Sequence, residues 1–483
     1  MAAKISKLSE LYPILRNEEK ISGGVLGMIG IFDLKRLLKP LSAFKTRGIG
    51  LMTILSALIL CRFRGLSIYS MYKSGQMQID ENTTYRMMNH SEMNWRKLLL
   101  CVAMQFLKIV KSKGCDNKGV RCFVIDDTLI PKTGKTIEGI SKVFDHTESR
   151  LVLGFKMLVL ALWDGKSLLP IDFSLHRESQ KKNWGLKAKE LKRLFVKKRD
   201  AKSPCSERFD ELDMEKPAVA LQMLRRACKH GILAAYVLMD SWFTSDTMIQ
   251  GIRKIRKGMM HIVGICKMDK RKFQVGDKEL NSDAIIKLKE TRKGNKHYSR
   301  KYKSQYMRVD AVYKDTPVRL FYIKYKRSNN WKLLLTTDLS LSFAKAMELY
   351  HIRWSIEVFY KECKQYLRLG QAQNTDFDGQ IADATITLIT HLMLSLQFRF
   401  QAYETMGGLF RQIQDQMIQD TLHERIMTVV LEIIVQLLEI LSIDVDQTIK
   451  LMIEGNEKTE QVINLLMIVN ERCKANEKNK MVA

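Results

Sequence analysis

The chain has 483 residues, 46% of them hydrophobic, enough for one core domain with large insertions or for two to four domains. Lys and Arg number 80 against 52 Asp and Glu, a formal charge of +28, which points to a polyanionic partner, nucleic acid before a membrane surface. Nine cysteines scattered singly, with no CxxC or Cys/His ligand cluster, argue against a disulfide framework and structural zinc and fit a reducing cytosol.

The charge is uneven. From Asp376 onward there are 9 Lys/Arg and 16 Asp/Glu, a net of −7, so the first 375 residues carry +35. The basic body, rather than the acidic tail, is the expected nucleic-acid surface. No secretory signal is visible at the N-terminus, and the longest apolar run, 51 to 61, is too short to span a bilayer.

Residues 1–115 read as a helical region. Ser91 is the predicted N-cap of a helix through Trp95, Leu98, Leu99, Val102, Phe106 and Val110. KSKGCDNKG, 111 to 119, reads as a linker. RCFVIDDT, 121 to 128, is a short apolar run that ends in two aspartates, as a buried strand would. The apolar runs 151–163 and 167–176 are joined by Asp164-Gly165-Lys166, a hairpin signal. From Arg177 to Lys202 there are 11 Lys/Arg and 3 Asp/Glu, which suits either a solvated face or a DNA-backbone contact. A helix is predicted over 216–230, a buried strand over 231–243 with Asp240 near its end, and a strand over 259–266. Residues 267–339 alternate in short strands and read as a basic, β-rich insertion. A helix follows over 342–368, and 373–483 returns to helical periodicity, MTVVLEIIVQLLEIL being its clearest amphipathic run.

The chemistry concentrates in YHIRWSIEVFYKECK, 350 to 364. On one continuous helix, Tyr350, Arg353, Glu357 and Lys364 fall at about 0°, 300°, 340° and 320°, a single narrow face. Ile352, Ile356, Phe359, Cys363 and Leu367 lie opposite and would dock on a core. On periodicity alone that polar face reads as a salt-bridged surface stripe. It gains meaning from the strand-end acids upstream. If the strands from 121 and 231 are neighbours, Asp126 or Asp127 converges with Asp240, and Glu357 can join them from the helix. Three carboxylates without His or Cys suit hard divalent cations.

The Y-x2-R-x3-E-x6-K spacing resembles the signature of DDE transposases of the insertion sequence four family. FVIDDT and YVLMDSWF resemble that family's two aspartate motifs. Asp126 and Asp240 lie 114 residues apart, and Asp240 and Glu357 lie 117 apart. These separations fit an RNase H-like α/β core with a β-rich insertion. The resemblance covers about 120 to 370. It implies a mixed-sheet catalytic core from 120–266 and 340–372, the insertion at 267–339, a DNA-binding helical region at 1–115, and a C-terminal helical region at 373–483 suited to dimerisation. It further implies Asp126, Asp240 and Glu357 as a catalytic triad for two Mg²⁺ or Mn²⁺ ions. Asp126 is preferred to Asp127 because the family motif reads Asp, any residue, then Ser or Thr. Tyr350, Arg353 and Lys364 would hold phosphates, and Trp354 and Trp331 would stack on bases. The expected partners are double-stranded DNA bearing terminal inverted repeats, target DNA, and a second copy of the chain in the DNA complex, in the bacterial cytoplasm at the nucleoid and with no membrane.

A decayed, non-catalytic DNA-binding relative is a competing reading, but all six motif residues are present. A haloacid-dehalogenase-type phosphatase needs Asp-x-Asp-x-Thr, a frame that Val124-Ile125-Asp126-Asp127-Thr128 fails. PKTGK, 131 to 135, lacks the P-loop frame and reads as a turn able to touch phosphate. His146 reads as a local cap.

Overall fold

A computed structural model describes residues 25–45, 47–73, 79–114, 119–179, 185–191, 193–291, 294–326, 328, 330–400, 406, 408, 409 and 411. The chain divides into two compact units, one being Phe32–Phe410 and the other Met1–Ile31 with Arg411–Ala483. Of the second unit, the described part is helix α1 (Val25–Ile31) and Arg411. The amphipathic run predicted over 427–441 lies outside the described residues.

The first unit is built on one sheet of twelve strands. They are β1 (Cys122–Pro131), β2 (Ser141–Asp145), β3 (Arg150–Trp163), β4 (Leu168–His176), β5 (Tyr236–Met239), β6 (His261–Cys266), β7 (Lys272–Val275), β8 (Lys278–Asn281), β9 (His297–Ser299), β10 (Ser304–Tyr313), β11 (Thr316–Tyr325) and β12 (Lys332–Thr336). β3 lies antiparallel to β1 and β4, while β1, β5 and β6 run parallel side by side. This is the RNase H-like core the sequence implied. The hairpin at Asp164-Gly165 forms as predicted: the Asp164 carboxylate accepts from the Lys166 and Ser167 amides at 3.0 and 2.8 Å. β12 then pairs antiparallel with β6, and β11, β10, β7 and β8 follow outward. The strands between 272 and 336 therefore extend the core sheet.

The helices of this unit are α2 (Leu34–Leu38), α3 (Leu51–Arg64), α4 (Ile68–Lys73), α5 (Glu81–Met88), α6 (Trp95–Ser112), α7 (Ala188–Leu191), α8 (Pro204–Asp210), α9 (Lys216–Lys229), α10 (Asp246–Lys254), α11 (Ser282–Glu290), α12 (Phe343–Ile352), α13 (Ser355–Gln365) and α14 (Phe377–Phe400). α14 is long and apolar enough to cross a membrane, yet 89% of its apolar window is buried inside the protein. It packs against α3, α5, α6, α13 and β4, and a helix apolar on all sides belongs in such an interior.

Several boundaries depart from the sequence reading. Asn94, not Ser91, caps α6: its side chain accepts from the Lys97 amide at 2.9 Å. β2 went unread, as did α11, which interrupts the β-rich stretch. The helix expected over 342–368 is two helices. At the junction the Arg353 and Trp354 amides bond three residues back, to Tyr350 and His351 at 3.0 Å each. Bonds of that span wind the chain more tightly than an α-helix and break its regular ladder.

Candidate active site

The parallel register of β1 and β5 ends at the pair Ile125 and Met239. The next residues, Asp126 and Asp240, thus leave adjacent strands side by side. Asp126 is not at a strand end, because β1 continues to Pro131 on its pairing with β3. It sits where β1 loses its parallel neighbour β5. Asp240 is fixed by its own turn: its Oδ1 accepts from the Trp242 and Phe243 amides at 2.9 and 3.0 Å.

Strand alternation separates the two candidate first acids. Asp126 and Thr128 share the face covered by α13. There the Tyr360 hydroxyl donates to the Asp126 carbonyl at 2.8 Å, and Lys364 Nζ donates to Thr128 Oγ1 at 2.7 Å. Asp127 points to the opposite face and pairs with Lys216 at the start of α9. The apolar side of α13 is buried as the helical spacing required, through Ile356, Phe359 and Cys363.

Arg353 links two of the three candidate acids. Its Nη1 donates to Asp126 Oδ2 at 3.0 Å and its Nη2 to Glu357 Oε1 at 2.5 Å. The side chains of Arg353 and Asp126 are each 14% exposed. Burial, followed by the Asp240 charge, pushes the Asp126 carboxyl up to about 7 despite the guanidinium. Among the described residues, no three acidic, His or Cys side chains stand close enough to cup one ion in this arrangement. The donors themselves are oxygen only, and the three part-buried acids outnumber the single guanidinium that faces them. That chemistry fits a hard divalent cation.

The remaining predicted residues fall in different places. Tyr350 is part-buried, with the Arg353 guanidinium 5.7 Å from its ring centre. Burial holds the Lys364 ammonium below the usual lysine range. Trp354 is 60% exposed at the junction of the two helices. Trp331 precedes β12 under the Lys324 ammonium, 5.9 Å from its ring; no described contact links it to the acids.

Other motifs turn out to be architectural. Lys132 of PKTGK is buried, its Nζ donating to the carbonyls of Gly370 and Ala372 at 2.8 and 2.7 Å, so it is no phosphate-contacting residue. In the basic run, Lys197 pairs with Asp376 and Asp378, and Arg199 pairs with Asp378 and Glu138, all turned inward. His146 is exposed and edges against Phe144. Trp242 was missed: it is 43% exposed beside Asp240, and the Lys216 ammonium lies 5.0 Å from its ring centre. Its place two residues after the second acid was the available signal. Tyr360 was missed because a tyrosine on an apolar helix face reads as core.

A DDE superfamily endonuclease family matches residues 37–263, and a transposase DDE domain family matches residues 215–393. No curated protein matches the chain.

Proposed function

The chain belongs to the DDE superfamily of transposases and endonucleases, enzymes that act on DNA, and we propose that it is an insertion-sequence transposase of the insertion sequence four family. In this reading it binds the terminal inverted repeats of its element, cuts the strands there, and joins the released 3′ ends to target DNA. The observation that carries the reading is the linkage of Asp126 and Glu357 through Arg353, with Asp240 just past the end of the adjoining strand.

Asp126, Asp240 and Glu357 would hold the divalent metal. Two Mg²⁺ or Mn²⁺ ions, when bound, supply activation of the attacking oxygen and stabilisation of the leaving oxygen of a phosphodiester. The chain's own residues do the rest. Tyr360 holds the Asp126 main chain, the Asp127 amide donates to Asp126 Oδ1, and Asp240 is held by its own turn, so both carboxylates are positioned before DNA arrives. Tyr350, Arg353 and Lys364 line the approach from the helix side and would grip the phosphates flanking the cut. Arg353 suits that task because its planar fork matches phosphate oxygens. Trp354 presents an exposed ring on which an extruded base can stack. Trp331, also proposed to stack on a base, immediately precedes β12. The basic first 375 residues supply the long-range attraction to DNA.

The helical segment 1–115 is proposed to read the repeat, and the acidic segment from 373 onward to pair two copies on two DNA ends. The site of action is the bacterial nucleoid, in the cytoplasm. The test uses DNA spanning the flanks of this reading frame, the full-length protein and Mg²⁺. Nicks at the borders of inverted repeats, lost in Asp240→Asn, support the reading. Cutting that is indifferent to the repeats, or unchanged in Asp240→Asn, refutes it.

A further inference from the structure

We propose that Arg353 acts as a built-in counter-ion that competes with divalent metal for Asp126 and Glu357, and that loading the site requires it to leave both carboxylates. The inference rests on the proposed metal-holding role of those acids and goes beyond it.

Three observations converge. First, Arg353 spends both terminal nitrogens on the two acids, reaching back from the helix junction to β1 and forward one turn to Glu357. Second, with Arg353 in that position, no group of three described acids is close enough to hold one ion. Third, the guanidinium is not fully satisfied where it lies. Its Nε is buried without an acceptor, and a stranded buried donor carries a penalty that a better-matched partner removes. A guanidinium stays protonated at any ordinary pH, so it can leave the acids only by moving, not by losing its charge. Its natural second ligand is a phosphate oxygen pair, which presents the same geometry as the carboxylates it would give up.

A simple field effect would also make a nearby cation weaken metal binding. Lys364 provides the control. It is a part-buried cation on α13, the helix that follows the Arg353 junction, but its ammonium bonds Thr128 rather than an acid.

The experiment titrates Mn²⁺ alone into the full-length, DNA-free protein, followed by calorimetry and by the loss of free-Mn²⁺ paramagnetic signal, with circular dichroism as the check on folding. Arg353→Gln is expected to tighten Mn²⁺ binding at least about tenfold, and Lys364→Gln by less than about threefold. Equal tightening in the two variants, or no tightening in Arg353→Gln, overturns the competition. If Arg353→Gln fails to fold, Arg353→Lys asks the same question. A lysine keeps the charge but loses the fork whose two nitrogens reach the two acids, so affinity should still rise severalfold, and wild-type affinity would overturn the proposal. Asp240→Asn separates this inference from the site reading. If that variant binds Mn²⁺ as wild type does, the acids are not the metal site and both fall; if it loses Mn²⁺ while Arg353→Gln gains nothing, only the competition falls.

Discussion

Arg353 Nη1 and Asp126 Oδ2 meet at 3.0 Å across 227 residues of sequence. One contact thus joins the middle of the first core strand to the junction of the two helices that close the site. It also explains that junction. The tightened turn at Arg353 and Trp354 aims the guanidinium at β1 and leaves the indole in solvent.

That division of labour predicts opposite consequences for the two neighbours. Trp354 is mostly exposed, so Trp354→Ala should change the melting temperature little. Binding of DNA ends carrying an unpaired terminal base should weaken by about 1–3 kcal/mol, the usual value of one base stacked on an aromatic ring. Fluorescence anisotropy with and without the unpaired base checks this. Equal loss on fully paired duplex would show that the ring is not a base platform.

The buried Asp126 carboxyl makes stability pH-dependent. Its folded value is about 7 against 3.8 for the free group. The folded state therefore holds this proton more tightly than the unfolded state does. The resulting stability is full below about pH 4 and is lost as pH rises to about 7. Asp126→Asn removes that dependence. In metal-free buffer, the variant's advantage over wild type should grow between pH 4 and 7 and then level off, at no more than about 4 kcal/mol. Denaturant melts across that window measure it. An advantage that shrinks with rising pH would contradict the assignment.

The inward-facing part of the basic run predicts a structural defect. Arg199 holds Asp378 and Glu138, and Lys197 holds Asp378 and Asp376, with Asp378 fully buried. Asp378→Ala leaves two cations short of a partner, and breaking a buried pair in this way costs about 3–5 kcal/mol. Thermal melting should show a clear loss of stability. A change confined to DNA affinity, with melting unaltered, would return this segment to the role of a DNA contact.

What the sequence revealed follows from which signals are local. Acids that follow buried apolar runs announced Asp126 and Asp240, and the parallel neighbours β1 and β5 then align them. The apolar stripe of Ile356, Phe359 and Cys363 fixed which way Glu357 faces. The break at Arg353 left no mark, because it involves no Pro or Gly and both residues keep right-handed backbone angles. Lys132, Lys197 and Arg199 were misread for a different reason. Composition counts charges but not partners, and their partners lie 61 to 240 residues away. The burial of α14 escaped notice because Thr, Asp and His interrupt its apolar run, and their buried hydrogen bonds are visible only in the folded chain.

The central claim is that Asp126, not its neighbour, works with Asp240 and Glu357. Asp127 faces Lys216 on the other side of β1. The decisive measurement compares Mg²⁺-dependent nicking of the element's end DNA by Asp126→Asn and Asp127→Asn. Loss of a metal-holding carboxylate should exceed the roughly 10–100-fold that an outer-shell change costs. Asp126→Asn should therefore fall beyond that range, while Asp127→Asn stays within about tenfold of wild type. The reverse order, or equal activity in both variants, would contradict the account.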